Sequence, residues 1–161
     1  MISEPEKAQQ FFIEHLNRLY CAKAHLVERL EEIGDEAKFI KVKHIITDTI
    51  QKSENQIHRL DKIYNSLHIR YSFEKCGGLI AFLEDSFSSF QLYVNDPYLS
   101  YILILSYLQH IESVVSSSCQ LLQLLSLKME NPEIENSLAK MCDDTDRTLY
   151  NEITTLYIAK Q

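Results

Sequence analysis

Between Asp96 and Lys128 the chain carries one formal charge, Glu112, midway along a run rich in Leu, Ile and Tyr and free of Gly. A run of this length without a breaker reads as one helix buried around most of its circumference. The rest of the chain must then surround it. Glu112 is constrained too, because an unpaired carboxylate in apolar packing costs several kcal/mol and must be neutral, paired or bound to a cation.

The remaining segments supply the surround. With three Gly and three Pro in 161 residues and no Trp, the composition points to an all-α chain long enough for a real core. A first helix starts near Pro5, after Ser3, and runs to about Gly34. Its stripe of Phe12, Leu16, Leu19, Leu26, Leu30 and Ile33 is interrupted at position 23 by Lys. The steps alternate four and three, as in helix bundles. A second helix follows the Gly34–Asp35 break and continues to about His68, with a polar middle at Thr49, Ser53 and Gln56. A shorter segment spans roughly Ser72 to Val94 and is loosened at Gly77–Gly78. Asn95–Asp96–Pro97 stops it and starts the low-charge helix, which ends near Lys128. Asn131–Pro132 opens a last helix with the stripe Ile134, Leu138, Met141, Thr145, Leu149, Ile153 and Leu156. Four helices of about 30 residues, each about 45 Å long, predict an antiparallel four-helix bundle, one domain over residues 1–161. The shorter segment lies in the crossover between the second and third long helices.

In such a bundle the helix midpoints share one level. Each stripe turns polar or small there, which brings Lys23, Lys52 or Thr49, His110 with Glu112, and Cys142 within reach of one another. Di-iron bundle proteins place their metal in this layer, using carboxylates and E-x-x-H pairs, and no E-x-x-H occurs here. His25 and Glu28 form H-x-x-E but fall off the first stripe and read as a surface pair. Glu54 and His58 read the same way on the second helix. Cys21, Cys76, Cys119 and Cys142 form no C-x-x-C and are expected as free thiols packed as small apolar groups.

Several short motifs occur in one order. Leu19-Tyr20-Cys21-Ala22-Lys23 is similar to L-Y-x-A-E, and Ser53, Gln56 and Arg59-Leu60 fit H-x-x-E-T-x-x-Q-x-x-R-L. Cys76 with Gly78-Leu79-Ile80-Ala81-Phe82 is similar to C…G-L-I-x-E, Gln109-His110-Ile111-Glu112 is similar to E-H-Y-E, and Asp146 with Leu149 matches D-x-x-L. From about Phe11 to Leu156 the chain resembles the YciE/YciF family of ferritin-like stress-response proteins, whose function is poorly known. The resemblance implies a ferritin-like fold, but not a metal site. The family's acidic positions, its expected ligands, carry Lys23, Lys52, Phe82, Gln109 and Cys142 here, and its histidine aligns with Thr49. His110 and Glu112 remain, two apart on a helix and pointing about 200° apart, which suits no single ion. An ammonium from Lys23 or Lys52 is expected to replace the metal and pair with Glu112, with Gln109, Thr49, Ser53 and Gln56 completing the hydrogen bonds. The alternative places both lysine heads in solvent and Glu112 near the surface.

The resulting expectation is a non-catalytic, metal-free ferritin-like bundle of structural or partner-binding type, with no cofactor. Tyr98, Tyr101 and Tyr107 on several faces of the low-charge helix suggest a homodimer through apolar helix faces. A di-iron or other metal-binding protein with an altered site is the alternative, its ligands His110, Glu112 and Cys142, with His44 more distant. A binder of small apolar molecules is a third reading. The net charge of −7 argues against nucleic acid or anionic lipid. The acidic start MISEPEKAQQ does not read as a secretory signal or transit peptide. The longest apolar stretch, Tyr98 to Leu108, is about half the roughly 20 residues of a membrane span. A cytoplasmic protein is expected.

Overall fold

A computed structural model describes residues 1–93, 95–143 and 146–159, and every regular element among them is helical. α1 spans Glu4–Ile33, α2 Lys43–Ser66, α3 Gly77–Leu92, α4 Pro97–Ser126, α5 Pro132–Cys142 and α6 Thr148–Ala159, with a 3₁₀ stretch at Ala37–Val42 leading into α2. No helix among the described residues is long and apolar enough to cross a membrane. Two expected positions, Val94 at the end of the short segment and Thr145 on the last stripe, lie outside the described residues.

The helix starts follow local chemistry. Ser3 and Glu6 form a reciprocal capping box, with Ser3 N–H on Glu6 Oε2 at 2.8 Å, which satisfies two otherwise orphan donors. Asp96 and Asn131 cap α4 and α5 by accepting from the backbone of Leu99 and Ile134, each with Pro in the first turn. α2 ends where His68 turns to φ 55° and Ile69 N–H bonds Tyr64 O at 3.1 Å. The short segment becomes helical only at Gly77, five residues later than its expected start at Ser72.

The last long helix is two helices. α5 stops when Asp143 N–H bonds Ala139 O, and α6 restarts where Asp146 Oδ1 accepts from Thr148 N–H at 2.9 Å and from its hydroxyl at 2.6 Å. Asp favours such local hydrogen bonds over helix interiors. The stripe survives the break, since Met141, Leu149 and Ile153 are all buried.

Burial falls into two clusters stacked along the helices. One contains Phe12, Leu16, Leu19, Leu60, Ile63, Tyr64, Leu122, Ile134, Leu138 and Met141. The other contains Ala22, Leu26, Leu30, Ile33, Phe39, Ile46, Leu83, Phe87, Ile104, Tyr107, Leu149 and Ile153. α4 packs against α1, α3, α5 and α6, yet it is less enclosed than its low charge suggests. α3 contributes only to the second cluster, so Leu121 and Leu124 in the far half of α4 and Leu127 just past its end stay exposed.

His25 is not part of a surface pair. It is 7% exposed, with Nδ1 2.6 Å from the Tyr107 hydroxyl and Nε2 2.6 Å from Glu84 Oε1. Because a carboxylate only accepts, Nε2 carries a proton, and in the neutral ring Nδ1 accepts from Tyr107. Arg29 Nη2 donates to the same Glu84 oxygen at 2.7 Å, and its guanidinium lies 5.2 Å from the Phe87 ring centroid. Burial raises the Glu84 carboxyl, but hydrogen bonds from Arg29 and His25 outweigh it and hold the group below its ordinary range. α1 packs against α3 as well as α2 and α4, so its buried arc is wider than one heptad stripe and takes in position 25. Glu28, the other half of the expected pair, is exposed.

Tyr107→Phe removes the hydroxyl and leaves a buried ring nitrogen unpartnered. We expect a loss of about 1–3 kcal/mol, read as a lower urea midpoint with an unchanged m-value. A midpoint equal to wild type would show that His25 finds another partner.

Candidate functional site

The two apolar clusters are separated by a polar level crossing α1 near Lys23, α2 from Thr49 to Gln56, α4 at Glu112 and the α5–α6 break. On α2, Ser53 and Gln56 are buried, and the Thr49 hydroxyl donates back to Ile45 O at 2.8 Å. The break between α5 and α6 falls at this level, and it supplies the charged partners.

Glu112 pairs with Arg147, a residue the sequence reasoning did not select. Arg147 Nη1 donates to Glu112 Oε1 at 2.8 Å, and Nη2 reaches Gln109 Oε1 at 3.5 Å. The guanidinium lies 4.4 Å from the Tyr150 ring centroid. The Glu112 and Arg147 side chains are 34% and 38% exposed. Partial exposure removes the large desolvation cost that full burial of α4 implied, and a pair of this kind contributes about 0–1 kcal/mol. Lys52 pairs instead with Asp146, Nζ to Oδ2 2.9 Å. Lys23 is half-buried and faces the same cavity as Glu112 and Arg147.

His110 and Glu112 diverge. The His110 ring turns toward α3, where Nδ1 stands 2.7 Å from Ser86 Oγ and the ring 4.8 Å from that of Phe82. Gln109 is exposed, as is His44 on α2. Cys142, the third residue considered with His110 and Glu112, is bonded to Cys119. Among the described residues, no three His, Cys, Asp or Glu side chains converge in a way that could hold an ion.

The disulfide corrects the expectation of four free thiols. Cys119 on α4 and Cys142 at the end of α5 have Cα atoms 5.7 Å apart, while Cys21 and Cys76 are free and buried. α4 and α5 form a hairpin that brings the two residues to the same height. Beside the disulfide is a cavity of about 290 Å³. Leu26, Ile111, Val115 and Leu149 give it an apolar side, and Lys23, Glu112, Asp146 and Arg147 give it a charged side. Its shape suits a small amphipathic molecule, but its balanced charges favour neither sign.

The chain matches the family described as Domain of unknown function (DUF892) over residues 7–154. It belongs to that family. No curated protein and no solved structure matches it. DUF892 membership thus covers both clusters and the level between them, and carries no assigned chemistry.

Two measurements follow from this geometry. Hydrogen bonds from the Thr148 hydroxyl, Lys52 and the Thr148 backbone hold the Asp146 carboxyl down to about 2, below its ordinary 3.8. A depressed carboxyl stabilises the fold above its unfolded value, and that stabilisation disappears as pH falls through the folded value. Stability should therefore drop between about pH 4 and pH 2, and Asp146→Asn should flatten this limb in urea titrations. An unchanged acid limb would dismiss the Asp146 contribution. Separately, the disulfide closes a loop of sequence separation 23. Replacing both Cys119 and Cys142 by Ser should cost about 3 kcal/mol, measured by denaturant unfolding.

Proposed function

We propose that this chain is a ferritin-like, YciE/YciF-type four-helix scaffold that works without a metal or catalytic group, by binding protein partners, a second copy of itself among them. The observation carrying this reading is the Arg147–Glu112 pair at the mid-level, 2.8 Å apart. A ferritin-like di-iron centre draws carboxylates from each helix together with two E-x-x-H pairs. Here the level holds Lys23, Lys52 and Arg147, and its carboxylates Glu112 and Asp146 are engaged by Arg147 and Lys52. A di-iron centre does not fit these residues, because a divalent ion would have to displace a guanidinium and find ligands among cations. In this reading α5 and α6 together serve as the fourth long helix, α3 is the crossover, and residues 1–161 form one domain.

The dimer rests on the far end of α4 and the residue that follows it. Leu121, Leu124 and Leu127 recur at one-turn spacing and are 39%, 64% and 64% exposed, beyond the reach of α3. Burying an apolar strip of this kind against its own copy gives a self-complementary two-fold contact. The YciE/YciF likeness is the ground for a stress-related role.

Metal analysis of protein expressed in iron- and manganese-supplemented medium and purified without chelator tests the first half of the proposal. The expected content is far below one ion per chain, and stoichiometric metal would overturn it. Light scattering across a concentration series tests the second half. A dimer mass that falls to monomer in Leu124→Glu/Leu127→Glu supports it, and a monomer mass for wild type throughout rejects it.

A further inference from the structure

The disulfide has a property that neither the family nor the scaffold reading assigns: it stands in the wall of a cavity. Both Cys119 and Cys142 line the 290 Å³ space between the clusters. Cys119 is 6% exposed and belongs to the apolar cluster, whereas Cys142 is half-buried at the last turn of α5. The remaining thiols, Cys21 and Cys76, are buried elsewhere and do not line it. Burial, with Cys76 as neighbour, pushes the Cys21 thiol up to about 11. The molecule thus separates two buried, neighbouring thiols from one bonded pair that borders open space.

We propose that this cavity is a thiol–disulfide exchange site, at which a small dithiol enters and reduces the Cys119–Cys142 bond while the protein stays folded. The thiolate of the dithiol bonds to Sγ of Cys142, the less buried residue of the two. The Cys119–Cys142 bond breaks, and Cys119 leaves with the electron pair and takes up a proton from solvent. The second thiol of the dithiol, losing its proton, then attacks its own sulfur bound to Cys142. Cys142 departs as a thiolate and is protonated in turn. The dithiol is oxidised to a cyclic disulfide, and the protein gains two thiols. Lys23 and Arg147 on the cavity wall are balanced by Glu112 and Asp146, so access to the sulfurs rather than local charge sets the rate.

The consequence is local. Reduction removes the covalent link between α5 and α4, while Leu138 and Met141 stay packed in the cluster with Leu122 and Lys52–Asp146 and Arg147–Glu112 still hold the start of α6. The effect of reduction is therefore confined to the cavity wall and does not extend to the whole fold.

The test uses full-length protein oxidised with diamide and then treated with dithiothreitol in the absence of denaturant. Peptide mapping of the oxidised sample should give a Cys119–Cys142 cross-link. Dithiothreitol should open it completely, and Cys21 and Cys76 should remain closed to alkylation until denaturant is added. Ser116→Trp, at the cavity wall, should slow reduction at least about tenfold, and Ser117→Trp, exposed but not lining the cavity, should not. If Ser116→Trp fails to fold by circular dichroism, Gln120→Trp at the same wall replaces it. No cross-linked peptide, reduction only in denaturant, or equal rates for the lining and non-lining variants would each overturn the proposal.

Discussion

The arrangement of this molecule turns on how the one carboxylate of its long, low-charge helix, Glu112 on α4, is accommodated. α4 touches α1, α3, α5 and α6, and its Glu112 meets a partner at a level where both side chains keep partial contact with solvent. The partner arrives because the last helix breaks. Asp146 caps the start of α6, and the next residue, Arg147, is placed 2.8 Å from the Glu112 carboxylate. A continuous helix through 143–147 would have forfeited the Asp146–Thr148 bonds. The break, the cap and the ion pair are one device.

That device explains the division of the apolar interior into two clusters. Above and below the level the helices meet through Leu, Ile and Phe, and at the level itself they meet through Ser53, Gln56, Glu112 and Arg147. Neither ion pair is deep enough to be worth much by itself. Their contribution lies in permitting a polar level at low cost, leaving a cavity where close packing would otherwise fill the space. A disulfide across the same level fixes α5 to α4, and this covalent link compensates for the weaker noncovalent contacts around it.

Much of this was legible in the residues. The stripe of α1 from Phe12 to Ile33 is buried at every position read as apolar, because heptad spacing on a long helix leaves little freedom. The polar level was legible from the coincidence of Lys23, Thr49–Ser53 and Glu112 along three stripes. The divergence of His110 and Glu112 follows from 100° per residue alone. Arg147 was not legible from periodicity, because the run Asp143–Asp144–Thr145–Asp146 interrupts a stripe whose register continues at Leu149. Four weak helix formers in succession, three of them Asp, were the available signal. His25 was missed for another reason: a stripe analysis assumes a narrow buried face, and the buried arc of α1 is wider and takes in position 25.

The disulfide was readable as well, by an argument from symmetry rather than motif. Cys119 and Cys142 are equidistant from the Glu130–Asn131 turn that joins α4 to α5. Two antiparallel helices leaving a turn rise at the same 1.5 Å per residue, so residues equidistant from it stand at the same height. Their side chains meet if both face the seam, and Cys119 and Met141 do belong to one buried cluster. Sequence separation made the four cysteines look unrelated, whereas distance from a turn relates two of them directly. In an all-helical chain the hairpin, not the interval between residues, is the ruler by which side chains find one another. By that ruler the pairing of Cys119 with Cys142 is a consequence of where Asn131–Pro132 turns the chain.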